Sequence, residues 1–418
     1  MLRAGYLVLC AAVATVPAIL PARWGLAYAG LSIALWAVTL AIERTAPRSA
    51  GLVVTAAAAL TLLLAAPPYT SNDVWRYLWD GHAVLQGWDP YSTSPESLQG
   101  LYPDWPAVTD NRTHASIYPP AAQAVFAAVA ALGPDSALAG WKILVALAAL
   151  ATLTLAARLI GARSGAGLAL LSPLFILECG IGAHVDVFCA LSVLGALAFA
   201  RTGRWKLAGA AMGTGILFKL YPLALLPALA GAAPSRRLRL NLTAGAVAIV
   251  AGGYGAVRLM GWEAFGSLGV FAREWHFGSP AFALLRLLLA DASARGVLAF
   301  FIAATLGASF RVARSRGPER GACLALAGIF LASPVCFPWY LMPVALLVPW
   351  NPAPALVAWL ALVPLTYEAI DGQRAGLGWA PASWPLVVIA LGAALTLLTT
   401  GTRILSWSDR TPPEGLPP

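Results

Sequence analysis

The sequence predicts an all-α polytopic membrane protein, one bundle of about fourteen transmembrane helices with juxtamembrane helices on its periplasmic side. Three observations predict it. Hydrophobic residues make up 60% of the chain and charged residues 11%, whereas a soluble domain carries about 25% charge. Apolar runs recur along the whole chain at the ~17–20 residues that cross a bilayer. The arginines gather in short gaps between those runs, where the positive-inside rule puts them. The formal charge of +9 therefore reflects membrane orientation and does not point to nucleic acid.

The runs, in order, are 4–20, 25–42, 50–66, 140–159, 164–181, 185–200, 240–260, 295–312, 320–337, 354–369 and 383–401. Residues 206–233 form an apolar stretch interrupted by Lys219 and Pro222, and divide into two short spans that meet there. Residues 338–350 add another short span. The opening, MLRAGYLVLCAAVATVPAIL, has the character of a signal peptide. It lacks an evident cleavage site and more spans follow at once, so it reads as a retained helix. Cys10, Cys179, Cys189, Cys323 and Cys336 lie in or beside apolar runs without a CxxC or a paired spacing. They are expected to be buried free thiols, with neither a disulfide framework nor a zinc site.

Orientation follows from the basic residues. With the N-terminus in the cytoplasm, the inside loops collect Arg44, Arg48, Arg158, Arg163, Arg201, Arg204 and Lys206. Arg236, Arg237, Arg239, Arg311, Arg314, Arg316 and Arg320 join them. Loops 67–139 and 261–294 then face the periplasm of a bacterial inner membrane. Residues 1–402 form a single transmembrane domain, 403–418 a cytoplasmic tail, and both termini are cytoplasmic. Two apolar segments resist this threading. If 116–133 crossed, the basic clusters at 201–206 and 236–239 would be forced outside. That segment, and 279–291 with its Arg286, are expected to dip in or lie at the outer interface. Pro119 and Pro120 suit a helix start.

The polar loop 67–115 concentrates the chemistry. It holds Asp73, Asp80, Asp89, Glu96, Asp104 and Asp110, with His82 and His114. Asp73 lies just past a span, where a carboxylate is costly without work or a partner. At helical pitch Asp73, Arg76, Tyr77 and Asp80 share a face, and Trp75 and Trp79 are expected to anchor that helix at headgroup level. His184 and Asp186 sit between two spans on the same side. Lys219 stands at a proline-broken helix. Arg273 and His276 lie in the second outer loop, and Trp339 and Tyr340 return the chain to the outer interface. Each also admits a purely structural reading: an anchor helix with capping acids, a polar pair gluing helices, a snorkelling lysine, an aromatic belt. No metal site is supported, since His184 and Asp186 are two residues apart and the other histidines are distant.

At these residues the chain resembles a known group. The segments DVWRYLWDGHAVLQGWDPY, IYPP, SPLFILECGIGAHVD, FKLYP and SPVCFPWYL, in that order over roughly residues 50–345, are similar to the polyprenyl-phosphate-sugar-dependent glycosyltransferases of the GT-C superfamily. The bacterial alpha-mannosyltransferases related to glycosyltransferase family 87 are the nearest in pattern. The resemblance implies a GT-C-like fold, a lipid-linked sugar phosphate donor, no metal or other cofactor, and Asp73 as the catalytic base. The chain departs from the superfamily pattern in having two extra spans before this loop. It departs from the metal-dependent oligosaccharyl branch in lacking an adjacent pair of acids near Asp73.

Elementary chemistry points the same way. A polyprenyl phosphate leaves without needing a proton, so one base for the acceptor hydroxyl and cations for the phosphate suffice. Glycoside hydrolysis usually needs two carboxylates. The sequence therefore reads as a membrane glycosyltransferase that moves a hexose, mannose being one candidate, to a glycan or glycolipid acceptor. In this reading Lys219, with Arg76 or His276 and the nearby Arg273, holds the phosphate. Tyr77, Asp80, His82, His184, Asp186, Trp339 and Tyr340 shape the sugar site. The alternative is a transporter or flippase of a lipid-linked glycan. Transporters usually show repeated halves and polar residues near the midplane; here no repeat is evident and the polar residues crowd the outer face.

Overall fold

The computed structural model describes residues 1–20, 23–45, 49–108, 110–161 and 163–400. The tail expected at 403–418 and the inside-facing Arg48 lie outside the described residues. Among the described residues the chain is helical with no strand, and one isolated β-bridge joins Phe277 and Val335.

The chain opens with α1 (Leu2–Ile19), α2 (Trp24–Glu43) and α3 (Ser49–Leu63). The polar loop contributes α4 (Asp73–Leu85) and the single turn α5 (Pro95–Leu98), and α6 (Pro120–Ala130) follows. Next come α7 (Pro134–Ile160), α8 (Ala166–Leu170), α9 (Pro173–Gly180), α10 (Asp186–Arg201) and α11 (Trp205–Ile216). The remainder runs through α12 (Leu225–Ala232), α13 (Arg236–Leu259), α14 (Leu268–Glu274), α15 (Pro280–Arg286) and α16 (Asp291–Arg316). It ends with α17 (Pro318–Leu331), α18 (Met342–Leu347), α19 (Pro354–Leu362), α20 (Glu368–Gly372) and α21 (Trp384–Thr400).

Among the described residues six stretches are long and apolar enough to cross a membrane unaided: α1, α2, α7, α13, α16 and the Pro354–Leu377 stretch. The other expected spans are shorter or broken. Run 164–181 divides between α8 and α9, because Pro173 has no amide to continue the ladder and Ser172 caps the new helix, its Oγ accepting from the Phe175 amide at 3.5 Å. The Leu171 carbonyl freed there accepts from Tyr6 Oη at 3.2 Å and Thr39 Oγ1 at 3.1 Å. Run 206–233 breaks around Lys219 and Pro222. Run 320–337 stops at Leu331, and extended backbone carries the chain through the Phe277–Val335 bridge to a 3₁₀ turn at Pro338–Leu341. Irregular backbone at membrane depth is tolerated where it is buried in protein or lines a cavity. The breaks at 217–220 and 332–337 border one cavity, described below.

The polar loop folds back onto its own first helix. Trp79, expected at the headgroups, is 2% exposed and packs with Leu98 and Val108, because residues 95–108 cover that side of α4. Trp75 is half-buried against the core. On its other flank α4 packs closely against α6. At Gly81 the backbone lies against the Phe126 carbonyl with no room for a Cβ, so a glycine is required for that approach. α6 has eleven residues, which at 1.5 Å per residue reach roughly 16 Å, about half the hydrocarbon thickness. The amides of Ala121 and Ala122, near its start, donate to the Leu217 carbonyl at 3.0 and 3.2 Å. The start of α6 and the break at 217–220 therefore satisfy one another.

Two cations staple the bundle, one of them, Lys142, buried. Arg201 pairs with Glu319 and donates to the Leu159 carbonyl at 2.7 Å, joining α10, α17 and the end of α7. Lys142 of α7 donates to the carbonyls of Leu63, at 3.0 Å, and Ala66. It thereby caps α3 immediately before the polar loop. Lys142→Met keeps the apolar stem and strands two buried carbonyls, each worth about 1–3 kcal/mol. The variant should unfold at a clearly lower temperature in detergent, as read by tryptophan fluorescence. An unchanged midpoint would show that this cap is dispensable.

Candidate active site

The breaks converge on a cavity of about 930 Å³. Asp73 enters it from the first position of α4, where a first-turn acid is favoured by the helix dipole. Its amide donates to Ser71 Oγ at 3.0 Å, and its Oδ2 accepts from Tyr77 Oη at 3.3 Å. The Asp73 side chain keeps 32% exposure toward the cavity. Burial among protein atoms raises its pKa above the ordinary carboxylate range; the Lys219 ammonium opposes that rise and the Asp186 carboxylate adds to it.

Lys219 lines the same cavity. Its Nζ donates to Asp186 Oδ2 at 2.6 Å and lies 4.7 Å from the centre of the Tyr340 ring and 5.9 Å from that of Tyr118. Asp186, fully buried at the first position of α10, holds the ammonium at the break. Two aromatic faces complete the cage.

Behind Asp73 lies a buried imidazole. His184 Nδ1 is 3.7 Å from Asp73 Oδ2 and 3.5 Å from Tyr77 Oη, and its Nε2 is 3.4 Å from Glu178 Oε2. The ring stacks on Trp339 at 4.0 Å. Tyr28 and Tyr367 donate their hydroxyls to the two oxygens of Glu178 at 2.9 and 2.8 Å. The backbone carrying His184 is strained: Ala183 holds φ 46, rare for a residue with a side chain. The Trp141 indole fixes that turn by donating to the Ala183 carbonyl at 2.7 Å. Burial, and then the Lys219 charge, push the His184 pKa well below its usual value, so the ring is neutral.

The structure sorts the residues singled out from sequence into three positions. Asp73, Arg76, Lys219, His276, Trp339 and Tyr340 line the cavity. Tyr77, Asp80, His184 and Asp186 lie behind that lining and brace it. Asp80 takes Arg76 Nε at 2.7 Å and Ser116 Oγ at 2.5 Å, while Arg76 also holds the Asn111 and His114 carbonyls. Arg76 and Asp80 thus stake residues 111–116 to α4. His82 and Arg273 stand apart. His82 is buried under the folded loop, stacked on Trp105 at 4.2 Å, because residues 95–108 cover its side of α4. Arg273 is exposed on α14, and its neighbours Glu274, Trp275 and His276 take the cavity side. Among the described residues no three His, Cys, Asp or Glu side chains are placed to hold a metal ion.

Several residues in the cavity lining or behind it escaped the sequence reading. Glu178 had a readable signal, a lone carboxylate inside an apolar run. Tyr28 and Tyr367 had none, since tyrosines in apolar runs are ordinary. Arg374, whose guanidinium lies 3.1 Å from the centre of the Trp24 ring, also lines the cavity.

The family model for the N-terminal domain of alpha-(1->6)-mannopyranosyltransferases matches residues 6–234. The chain belongs to that family. It is a membrane glycosyltransferase of the mannosyltransferase type, which decides between the two classes left open above. No match to a curated protein or to a solved structure was found. The matched stretch carries Asp73, Arg76, Glu178, His184, Asp186 and Lys219. The opposite wall, with His276, Trp339, Tyr340 and Tyr367, comes from the mannosyltransferase's second half.

The geometry sets the sign of one pH effect. Lys219 is the main group holding the Asp73 carboxyl down. In Lys219→Met, Asp73 should titrate at a still higher pH than in the parent. Infrared difference titration of the purified protein, with the carboxyl band assigned through Asp73→Asn, measures this. An unmoved titration would mean the ammonium is not felt at Asp73.

Proposed function

We propose that this enzyme transfers a mannosyl residue from a polyprenyl-phosphate donor to a glycan or glycolipid acceptor, with Asp73 as general base. The observation that carries the reading is that one of the carboxylates lining the cavity, Asp73, feels the charge of an aromatic-caged lysine in the same cavity; Asp110 and Glu274 are the others. The donor's phosphate leaves without protonation, so the one proton to manage is that of the acceptor hydroxyl. Lys219 supplies positive charge for the leaving phosphate, which competes with Asp186 for the ammonium. Arg76, Arg374 and His276 line the same space. Trp339 and Tyr340 offer ring faces for a sugar. The alpha-(1->6) linkage in the family's description is the linkage we propose for the product. The arginine distribution supports a periplasmic site in a bacterial inner membrane with cytoplasmic termini.

Asp73→Asn should leave the protein folded and inserted and reduce transfer by about 10²–10⁴-fold, the usual cost of losing a general base. Purified variant and parent, assayed with polyprenyl-phosphate mannose and a mannoside acceptor, give the comparison. Parent-like transfer by the variant would remove Asp73 from the chemistry.

The threading rests on 116–133 staying on the outer side. Single cysteines at Ala115 and Ser136, in a background lacking the five buried native thiols, should both react with a membrane-impermeant maleimide from the periplasm. Labelling of Ser136 from the cytoplasm alone would overturn the topology.

A further inference from the structure

Glu178 and His184 are fully buried, stand outside the cavity lining and have no part in the scheme above. Their geometry is nevertheless directed at Asp73. Glu178 receives two tyrosine hydroxyls, one on each oxygen, so both oxygens act as acceptors. The second of them lies 3.4 Å from His184 Nε2, a buried nitrogen with no formed hydrogen bond. The tautomer of a histidine is set by the partner of one ring nitrogen. An acceptor beside Nε2 draws the ring proton there and leaves Nδ1 bare. Nδ1 is the nitrogen that faces Asp73, with the Tyr77 hydroxyl between them, and Trp339 fixes the ring plane.

We propose that Glu178 and His184 are positioning residues for Asp73: Glu178 holds the imidazole proton on Nε2, and the bare Nδ1 accepts a hydrogen bond from the protonated Asp73 carboxyl. The proposal rests on reading Asp73 as the base. In the transfer step the acceptor hydroxyl gives its proton to Asp73 while its oxygen bonds to the sugar's anomeric carbon. The bond from that carbon to the donor phosphate breaks, and the phosphate leaves with the electron pair. The proton then resides on Asp73, where a waiting acceptor stabilises it. Separations of 3.5–3.7 Å around Nδ1 are long for a hydrogen bond, and catalytic contacts of this kind tighten in the reacting complex.

Other groups also act on Asp73. Lys219 and Asp186 face it with opposite charges. Tyr77, Tyr118, Tyr340 and Tyr367 surround it with hydroxyls. Of these, Tyr367 alone has its proton held by Glu178, so a change at His184 isolates the imidazole's effect.

The test uses Glu178→Gln and His184→Phe in the full-length protein. A glutamine amide donates toward Nε2 and moves the ring proton to Nδ1, which then stabilises the Asp73 carboxylate. Phenylalanine at 184 keeps a ring against Trp339 and removes both nitrogens. Both changes should move the Asp73 infrared titration to lower pH, by about half a unit or more. In the transfer assay kcat should fall about tenfold or more, with the KM for polyprenyl-phosphate mannose within about twofold of the parent. An Asp73 titration that stays in place in both variants overturns the proposal and leaves Glu178 as framework. If Glu178→Gln does not fold, His184→Phe decides alone by the same reading. The titration needs no turnover. A moved titration in a protein that transfers no mannose would uphold the positioning role and sink only the assignment of Asp73 as base.

Discussion

An ammonium at the break between α11 and α12 has little water to solvate it, and a lone buried charge there would be prohibitive. Asp186 answers that cost at 2.6 Å, and much of the site follows. Asp186 must open α10, so the chain must turn sharply from α9, which forces the left-handed Ala183 and calls in the Trp141 indole. The same turn carries His184. The lysine must sit beyond the last full turn of α11, so the Leu217 carbonyl is freed, and α6 begins where its first amides can take it. Tyr118, two residues before α6, and Tyr340, just past the irregular segment at 332–337, then close on the ammonium.

This arrangement explains why both halves of the chain are needed. The half matched by the mannosyltransferase family supplies nearly all the polar groups: Asp73, Glu178, His184, Asp186 and Lys219. The second half contributes rings. Trp339 stacks on His184, Tyr340 covers Lys219, and Tyr367 holds Glu178. Charged groups inside a membrane protein need defined partners, whereas the enclosing wall needs only flat surfaces that exclude water and bear an occasional hydroxyl.

Legibility in the sequence divided along the same physical line. Helical class and membrane residence were readable because hydropathy over ~20 residues is a sum that tolerates local exceptions. Lys219 and Asp73 were readable because an ionisable side chain in or beside an apolar run stands out singly. The break at Pro173 was signalled by its Ser-Pro but overruled by hydropathy, which does not register backbone hydrogen bonds. His82 and Trp79 misled for a different reason. Their surroundings are set by residues 95–108 folding over α4, a tertiary event with no periodic signature. Arg273 misled because four consecutive residues cannot all face one cavity, and composition does not say which will. Glu178, a carboxylate alone in an apolar run, was as visible as Lys219; its meaning depended on Tyr28 and Tyr367, 150 and 189 residues away.

On the proposed reading, the charges also bear on how a lipid phosphate would be received. Lys219 is already neutralised by Asp186, so an arriving phosphate finds a shared cation and not a vacant one. Under the proposed reading this sharing is useful. As the phosphate draws on the ammonium, Lys219 exerts less of the pull that holds the Asp73 carboxyl down, and the phosphate's own charge raises proton affinity nearby. Asp73 therefore becomes a stronger base when a donor is present than when the cavity is empty. A free lysine would bind phosphate more tightly and leave Asp73 weaker, because an unshared positive charge stabilises the carboxylate that must accept the proton. The pairing of Lys219 with Asp186 trades affinity for the donor against reactivity at the acceptor.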